Sequence, residues 1–185
     1  GGRGASRIGG WPGESGTITY AKLHRKVKKA SNALIELGIG KGDRVAIYMP
    51  MIPEATIAML ACARIGALHS VVFGGFSAEA LLARIRDADA KLVITADGGH
   101  RRGTATALKP AVDEALKGKT NVERVLVVRR TGPDVPWTES RTIWWHDFVA
   151  RPSEAPVPVA HYREPQLFIL YTSVQAAQPQ GLFHT

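Results

Sequence analysis

Apolar residues recur along this chain in two alternating rhythms. Leu23, Val27, Ala30, Leu34 and Leu37 return at spacings of four and three, which predicts one apolar helix face with Lys22, Arg25, Lys26, Lys29 and Glu36 opposite. The preceding "TITY" predicts a short strand, Thr19 is placed to cap the helix, and Gly38 fits its stop. The runs 44–49 (RVAIYM), 69–73 (HSVVF), 91–96 (KLVITA), 124–128 (RVLVV) and 167–171 (LFILY) are short and almost wholly apolar, which predicts strands. Helices are expected between them. One starts at Pro53 and Glu54 and is apolar nearly all round from Ile57 to Ile65, so it should be deeply buried. Another, capped by Ser77, covers 78–87 with Glu79 and Arg84 facing out. A third covers 108–116 with Pro110 near its start, and a short one lies in 144–149 (WWHDFV).

The resulting order is β-α-β-α-β-α-β-α-β. Strands that are apolar on both faces belong in a parallel sheet with helices on both faces. Right-handed crossovers then give an α/β fold with a doubly wound, mainly parallel sheet. Ligands of such sheets lie beyond the carboxyl ends of the strands. Three loops stand there: 74–76 (GGF) after Phe73, 97–103 (DGGHRRG) after Ala96, and 172–181 (TSVQAAQPQG) after Tyr171. Residues 1–16 are rich in glycine without any period and read as a flexible lead-in, with order beginning at Thr17 and one domain unit over 17–185. Four prolines in 151–165 predict an extended connector.

Composition narrows the function classes. A chain of 185 residues with 45% hydrophobic and 22% charged content is that of a soluble globular domain. The single cysteine, Cys62, excludes an internal disulfide and a cysteine-rich zinc site. No apolar run is long enough to span a membrane and no signal peptide opens the chain, so a cytoplasmic protein without a membrane partner is expected. The formal charge of +8 favours phosphate-rich partners. The basic residues are dispersed, however, over 24–29, 100–102 and 129–130, which argues against nucleic acid. The six histidines have no ligand spacing, so no metal site is assigned. Ser173 lacks a G-x-S-x-G context, so no catalytic residue is assigned either. Trp144 and Trp145 read as part of an amphipathic core helix rather than as a base-stacking platform.

Two loops retain chemistry. Gly74 and Gly75 form either a tight turn or a place where backbone meets a ligand closely, and they lack the GxGxxG dinucleotide fingerprint. Arg101 and Arg102, between Gly98, Gly99 and Gly103, form a flexible cationic loop, either solvated or gripping phosphate through guanidinium forks. The residues alone give an α/β domain with two candidate anion loops and no reaction.

The run 41–97, KGDRVAIYMP through LVITAD, closely resembles acetyl-coenzyme A synthetases, within the adenylate-forming superfamily of acyl- and aryl-CoA ligases. Further matches are ITYAKLHRKV, LKPAVDEAL, VVRRTGPDVPW, IWWHDFVA and the frame LFILYTS…GLFHT, so the resemblance covers nearly all of 17–185. It implies part of the large amino-terminal domain of such an enzyme, in a sheet that continues beyond residue 185 and leaves the last strand with an open edge. The implied reaction joins acetate to ATP, giving acetyl-AMP and pyrophosphate, and then transfers the acetyl group to CoA. The implied small molecules are acetate, ATP with Mg, and CoA. The later family motifs are absent, so the isolated chain is expected to lack ligase activity. A propionyl-CoA synthetase and a non-catalytic CoA- or nucleotide-binding module remain alternatives, and oligomeric state is left open.

By resemblance, Phe73, Gly74 and Gly75 line the CoA nucleotide site and Arg101 contacts the CoA 3′-phosphate. The family usually carries a second arginine where this chain has Thr104, and a small residue where it has Arg102, which leads into Gly103. The terminal loop departs further from the family's Thr-Ser-Gly-(Ser/Thr)-Thr-Gly-Lys-Pro-Lys-Gly. Thr172, Ser173, Pro179 and Gly181 match, whereas Val174, Gln175, Ala176, Ala177, Gln178 and Gln180 replace glycines, hydroxyls and both lysines. Each lost charge-assisted bond is worth roughly 1.5–3 kcal/mol. The expected result is a degenerate ATP-phosphate loop.

Overall fold

The computed structural model describes residues 5–9, 15–101, 103–132, 135, 137, 138, 140–150, 168–172 and 180–184. Strands β1 (Ala5–Gly9) and β2 (Ser15–Thr19) pair as an antiparallel hairpin, with Ala5 opposite Thr19. The glycine-rich lead-in expected over 1–16 includes this pairing at 5–9 and 15–16. Backbone pairing holds these residues, and it leaves no apolar rhythm to read.

Helix α1 (Tyr20–Glu36) begins directly after β2, capped by Thr19 Oγ1, which accepts from Lys22 N at 3.2 Å. Its apolar stripe packs Val27, Ala30 and Leu34 into the core, as the spacing predicts. Helix α2 (Pro53–Ile65) lies against it and buries Ile57, Ala58, Ala61, Cys62 and Ile65. Burial pushes the Cys62 thiol up to about 12. Leu60, however, is 42% exposed, so α2 has one open face, over a groove shared with Tyr20, Leu23 and Val27 of α1.

The remaining elements are β3 (Arg44–Tyr48), β4 (Leu68–Val72), α3 (Ala78–Ala88), β5 (Leu92–Ala96), β6 (Gly98–Arg101), β7 (Thr104–Ala107), α4 (Lys109–Ala115), β8 (Arg124–Val128), β9 (Thr142–Trp144), α5 (Trp145–Ala150), β10 (Phe168–Thr172) and β11 (Gln180–His184). Seven of the strands form one sheet in the order β11-β10-β4-β3-β5-β8-β9. Every neighbouring pair is parallel except β10 and β11. The sheet is thus mainly parallel, as expected. The crossover from β3 goes to β4 on one side, and the crossover from β4 returns past β3 to β5 on the other. With right-handed crossovers, α2 covers one face and α3 and α4 the other. The packing agrees: α1 contacts α2 and α5, and α3 contacts α4.

Three further points differ from the expectation here. Antiparallel β11 covers β10, so β10 is not the open edge. Residues 142–144 form β9, so Trp144 sits at the end of a strand while Trp145 starts α5. Trp144 stacks on Trp137 at 4.6 Å and on His146 at 5.9 Å, with the Arg129 guanidinium 4.5 Å from its ring centre, while Trp145 packs inward on Phe148. Third, Arg84 is buried rather than facing out, at 5% exposure. The connector at 151–165 lies outside the described residues. Among the described residues, no helix is long and apolar enough to cross a membrane.

His69 lies in β4 between Val45 of β3 and Phe168 of β10. Burial lowers its pKa from 6.5 to about 4. Between those values the unfolded chain binds a proton that the folded imidazole does not. Stability therefore falls as pH drops through this window, by about 3 kcal/mol in all. Urea midpoints near pH 7 and about pH 4.5 should differ accordingly, and His69→Leu should flatten that difference. An unchanged pH slope in the variant would show that His69 is not its source.

Candidate functional site

The chain leaves the carboxyl edge of the sheet beyond β3, β4 and β5, where the crossovers from β3 and β4 diverge. A cleft of about 690 Å³ opens at this switch point. Tyr48 and Pro50 form its floor, Phe73 to Phe76 one wall, and Gly99, His100, Thr106 and Ala107 the other. Leu108 and Ala111, at the start of α4, close the back.

The wall at 97–107 is not a flexible loop. Strands β6 and β7 form an antiparallel ladder in which Gly98 faces Ala107 and Arg101 faces Thr104. The two-residue turn places Gly103 at φ +78, a left-handed conformation that suits glycine. The ladder exists because Asp97 anchors its base. This carboxylate is fully buried and accepts four backbone N–H bonds: Gly98 N at 2.7 Å and Arg130 N at 2.8 Å on Oδ1, Thr131 N at 3.1 Å on Oδ1, and Gly132 N at 3.0 Å on Oδ2. Its backbone carbonyl accepts from Leu108 N at 3.1 Å and Lys109 N at 3.4 Å. One residue thus ties together both ends of the hairpin, the start of α4 and the turn after β8. Burial by itself would raise the Asp97 pKa, but the bonds from Thr131, Gly132, Arg130 and Gly98 outweigh it and hold the pKa below the usual carboxylate value. The base is also sterically closed: a Cβ at Gly98 would lie 2.7 Å from both the Thr106 carbonyl oxygen and Thr131 Oγ1.

The opposite wall is fixed from below. Tyr48 is buried at the end of β3, and its hydroxyl donates to the Phe76 carbonyl at 2.7 Å and the Gly74 carbonyl at 3.3 Å. Thr95 Oγ1 of β5 donates to the Tyr48 carbonyl at 2.6 Å. Phe76 N donates to the Phe73 carbonyl at 3.0 Å, which closes the turn. Phe73 stands at the mouth, 59% exposed, with its ring edge-to-face against Phe76.

The structure therefore brings Phe73, Gly74 and Gly75 together with the hairpin that carries Arg101. Gly103 and Thr104 are exposed at the tip of that hairpin. Arg102 and Ser173 lie outside the described residues. Thr172 ends β10 opposite Gln180, and Gly181 pairs with Tyr171 within β11. Sequence reasoning placed Phe76 and Asp97 in two candidate loops without giving them a role, and missed Tyr48 and Leu108. Tyr48 and Asp97 left a faint signal, as polar groups at the carboxyl ends of otherwise apolar strands. Among the described residues, no group of three or more His, Cys, Asp or Glu side chains could hold a metal ion.

A cleft at the switch point of a doubly wound sheet is where α/β domains of this class place their ligands. The chain belongs to the AMP-binding enzyme family, which matches residues 5–185. It is similar to the acetyl-coenzyme A synthetase of Streptomyces avermitilis, at 63% identity over 185 residues, which is 100% of this chain and 28% of the relative. The acetyl-coenzyme A synthetase of Streptomyces coelicolor is 62% identical over the same shares. That of Mycolicibacterium smegmatis is 59% identical over 173 residues, covering 94% of this chain and 18% of the relative. The chain thus spans little more than a quarter of the length of the two Streptomyces relatives and less than a fifth of the Mycolicibacterium one.

Asp97→Asn should destabilise the chain by about 3 kcal/mol, because one carboxylate oxygen becomes an amide that faces backbone donors. The lowered pKa means that the Asp97 contribution is present above the ordinary carboxylate range and is lost as pH falls through the folded value. Thermal melts at neutral pH should show the loss, and a melting temperature equal to that of the unmodified chain would contradict it. Tyr48→Phe should cost about 1 kcal/mol and loosen the turn at 74–76, read as faster amide exchange at Phe76. Unchanged exchange there would mean that the hydroxyl does not hold the turn.

Proposed function

We propose that this chain carries the CoA nucleotide cleft of an AMP-forming acetate–CoA ligase. The observation that supports this best is the joining of two loops, distant in sequence, into one cleft. The turn at 74–76 and the hairpin carrying Arg101 are the two segments that the family resemblance assigns to CoA. Phe73 offers a partly exposed ring at the mouth, which suits the flat face of a purine. Arg101 supplies a guanidinium for the 3′-phosphate. The names of the relatives favour acetate over propionate as the acyl substrate.

In the proposed reaction, an acetate oxygen attacks the α-phosphorus of ATP and pyrophosphate leaves. The CoA thiolate then attacks the acetyl carbonyl carbon and AMP leaves. The part of this chain is to bind and orient CoA, so that the second step becomes effectively intramolecular. Thr172, Ser173 and Gly181 mark where the ATP-phosphate loop would stand. Without the family's two lysines and with Gln175 and Ala176 in place of hydroxyls, that loop forfeits its charge-assisted bonds to phosphate. A cytoplasmic place of work accords with a single, buried thiol.

Calorimetry on the chain should show CoA binding more tightly than dephospho-CoA. Equal affinities would remove Arg101 as a phosphate contact, and no binding of either would overturn the site. Thr104 is the cross-strand partner of Arg101, so Thr104→Arg should restore the family's second charge and tighten CoA, but not dephospho-CoA, by about tenfold or more. Equal tightening of both would point to nonspecific charge. ATP–pyrophosphate exchange with acetate should stay at background, and clear exchange would show that the loop still holds ATP.

A further inference from the structure

The aromatic corner of the cleft has a buried support that the proposed reaction does not use. Arg84, on α3, is 5% exposed, and its guanidinium carbon lies 4.3 Å from the centre of the Phe76 ring. Its Nη1 donates to the Ala80 carbonyl, one helical turn back, at 3.1 Å. That bond keeps the guanidinium in place over the ring. The Phe76 ring in turn meets Phe73 edge-to-face, with centroids 6.1 Å apart and planes at 79°. A cation over an aromatic face gains most when it is desolvated, and a T-shaped pair fixes the second ring through the edge of the first. The backbone of Phe76 is already held by the Tyr48 hydroxyl and by its own bond to Phe73. Only its side chain has a rotation left to restrain.

We propose that Arg84 is a positioning residue for the bound ligand: its buried guanidinium holds the Phe76 ring, and Phe76 holds the Phe73 ring at the mouth of the cleft. The inference rests on the reading of this cleft as the CoA nucleotide site. Arg84 does not touch the cleft and acts through two rings. A free Phe73 side chain would sample several rotamers, and binding would then carry the entropy of ordering it. A held ring meets the base preorganised. Because the support acts at the aromatic end and not at the 3′-phosphate, its loss weakens CoA and dephospho-CoA by the same factor.

Two measurements on the 185-residue chain test this. In the absence of ligand, the ring resonances of Phe76 are compared between the unmodified chain and Arg84→Met. Faster ring rotation in the variant is expected, and unchanged resonances overturn the clamp. In CoA titrations, Arg84→Met should weaken binding of CoA and dephospho-CoA alike by about tenfold. Arg84→Lys, which keeps a cation near the ring, should recover part of the loss. Phe76→Leu should match Arg84→Met, and the double variant should lose no more than either single one. Additive losses, or a loss confined to CoA, overturn the inference. If the unmodified chain binds no CoA, the site reading falls, and the ring measurement alone decides whether the clamp exists. If Arg84→Met fails to fold, Arg84→Lys carries both measurements, with intermediate ring rotation and affinity expected and unmodified values counting against the clamp.

Discussion

The cleft depends on one carboxylate. Asp97 follows β5, next to the central strand β3, and gathers four backbone N–H groups from two separate segments. Without it, the hairpin at 98–107 would present an unpaired buried donor at Gly98, and the turn after β8 three part-buried ones, at a cost up to that of a lost hydrogen bond for each. A neutral group could not serve as well, because bonds to a charged acceptor are the stronger ones. The main chain of the same residue seats the first turn of α4, so the hairpin and the helix behind it share one foundation.

The two walls of the cleft are built on different physics. The hairpin wall is polar in its support, held through backbone bonds to Asp97 and by the tight steric fit at Gly98. The opposite wall rests on aromatic contacts, with Tyr48 beneath and Phe76 and Phe73 above. Both stand on neighbouring parallel strands whose register is set by the ladder, Tyr48 opposite Val72 on one side and opposite Thr95 on the other. The doubly wound topology makes this possible, since it sends the chain to opposite faces on either side of β3 and leaves a space between.

The large-scale architecture is readable in the sequence wherever one rhythm runs unbroken. The apolar stripe of α1, the caps Thr19 and Ser77, and the near-continuous runs of β3, β5 and β8 each state their element through burial and capping. The rhythm fails where backbone pairing does the holding. β1, β6, β7 and β9 are three to five residues long, too short for an apolar run to declare them; glycines and basic residues in β1 and β6 read as loop, and Trp144 of β9 reads as the start of a helix. Arg84 misleads for another reason: a charged residue at a helical surface position is ordinarily solvated, and only the third dimension brings Phe76 over it. The loops of the candidate site were legible as carboxyl-end glycine turns. Their supports, Tyr48 and Asp97, were not, because nothing in one dimension shows which backbone groups a buried hydroxyl or carboxylate will meet.

The stacked indoles bear on how this molecule can be observed. Trp137, Trp144 and Trp145 gather at the corner formed by β9 and α5, two strands away from β5 and the hairpin it supports. Among the described residues, the lining of the cleft holds phenylalanine, tyrosine and proline but no indole. Near-ultraviolet emission from these three chromophores therefore reports the integrity of the sheet's far border, and a molecule settling beside Phe73 passes them without a signal.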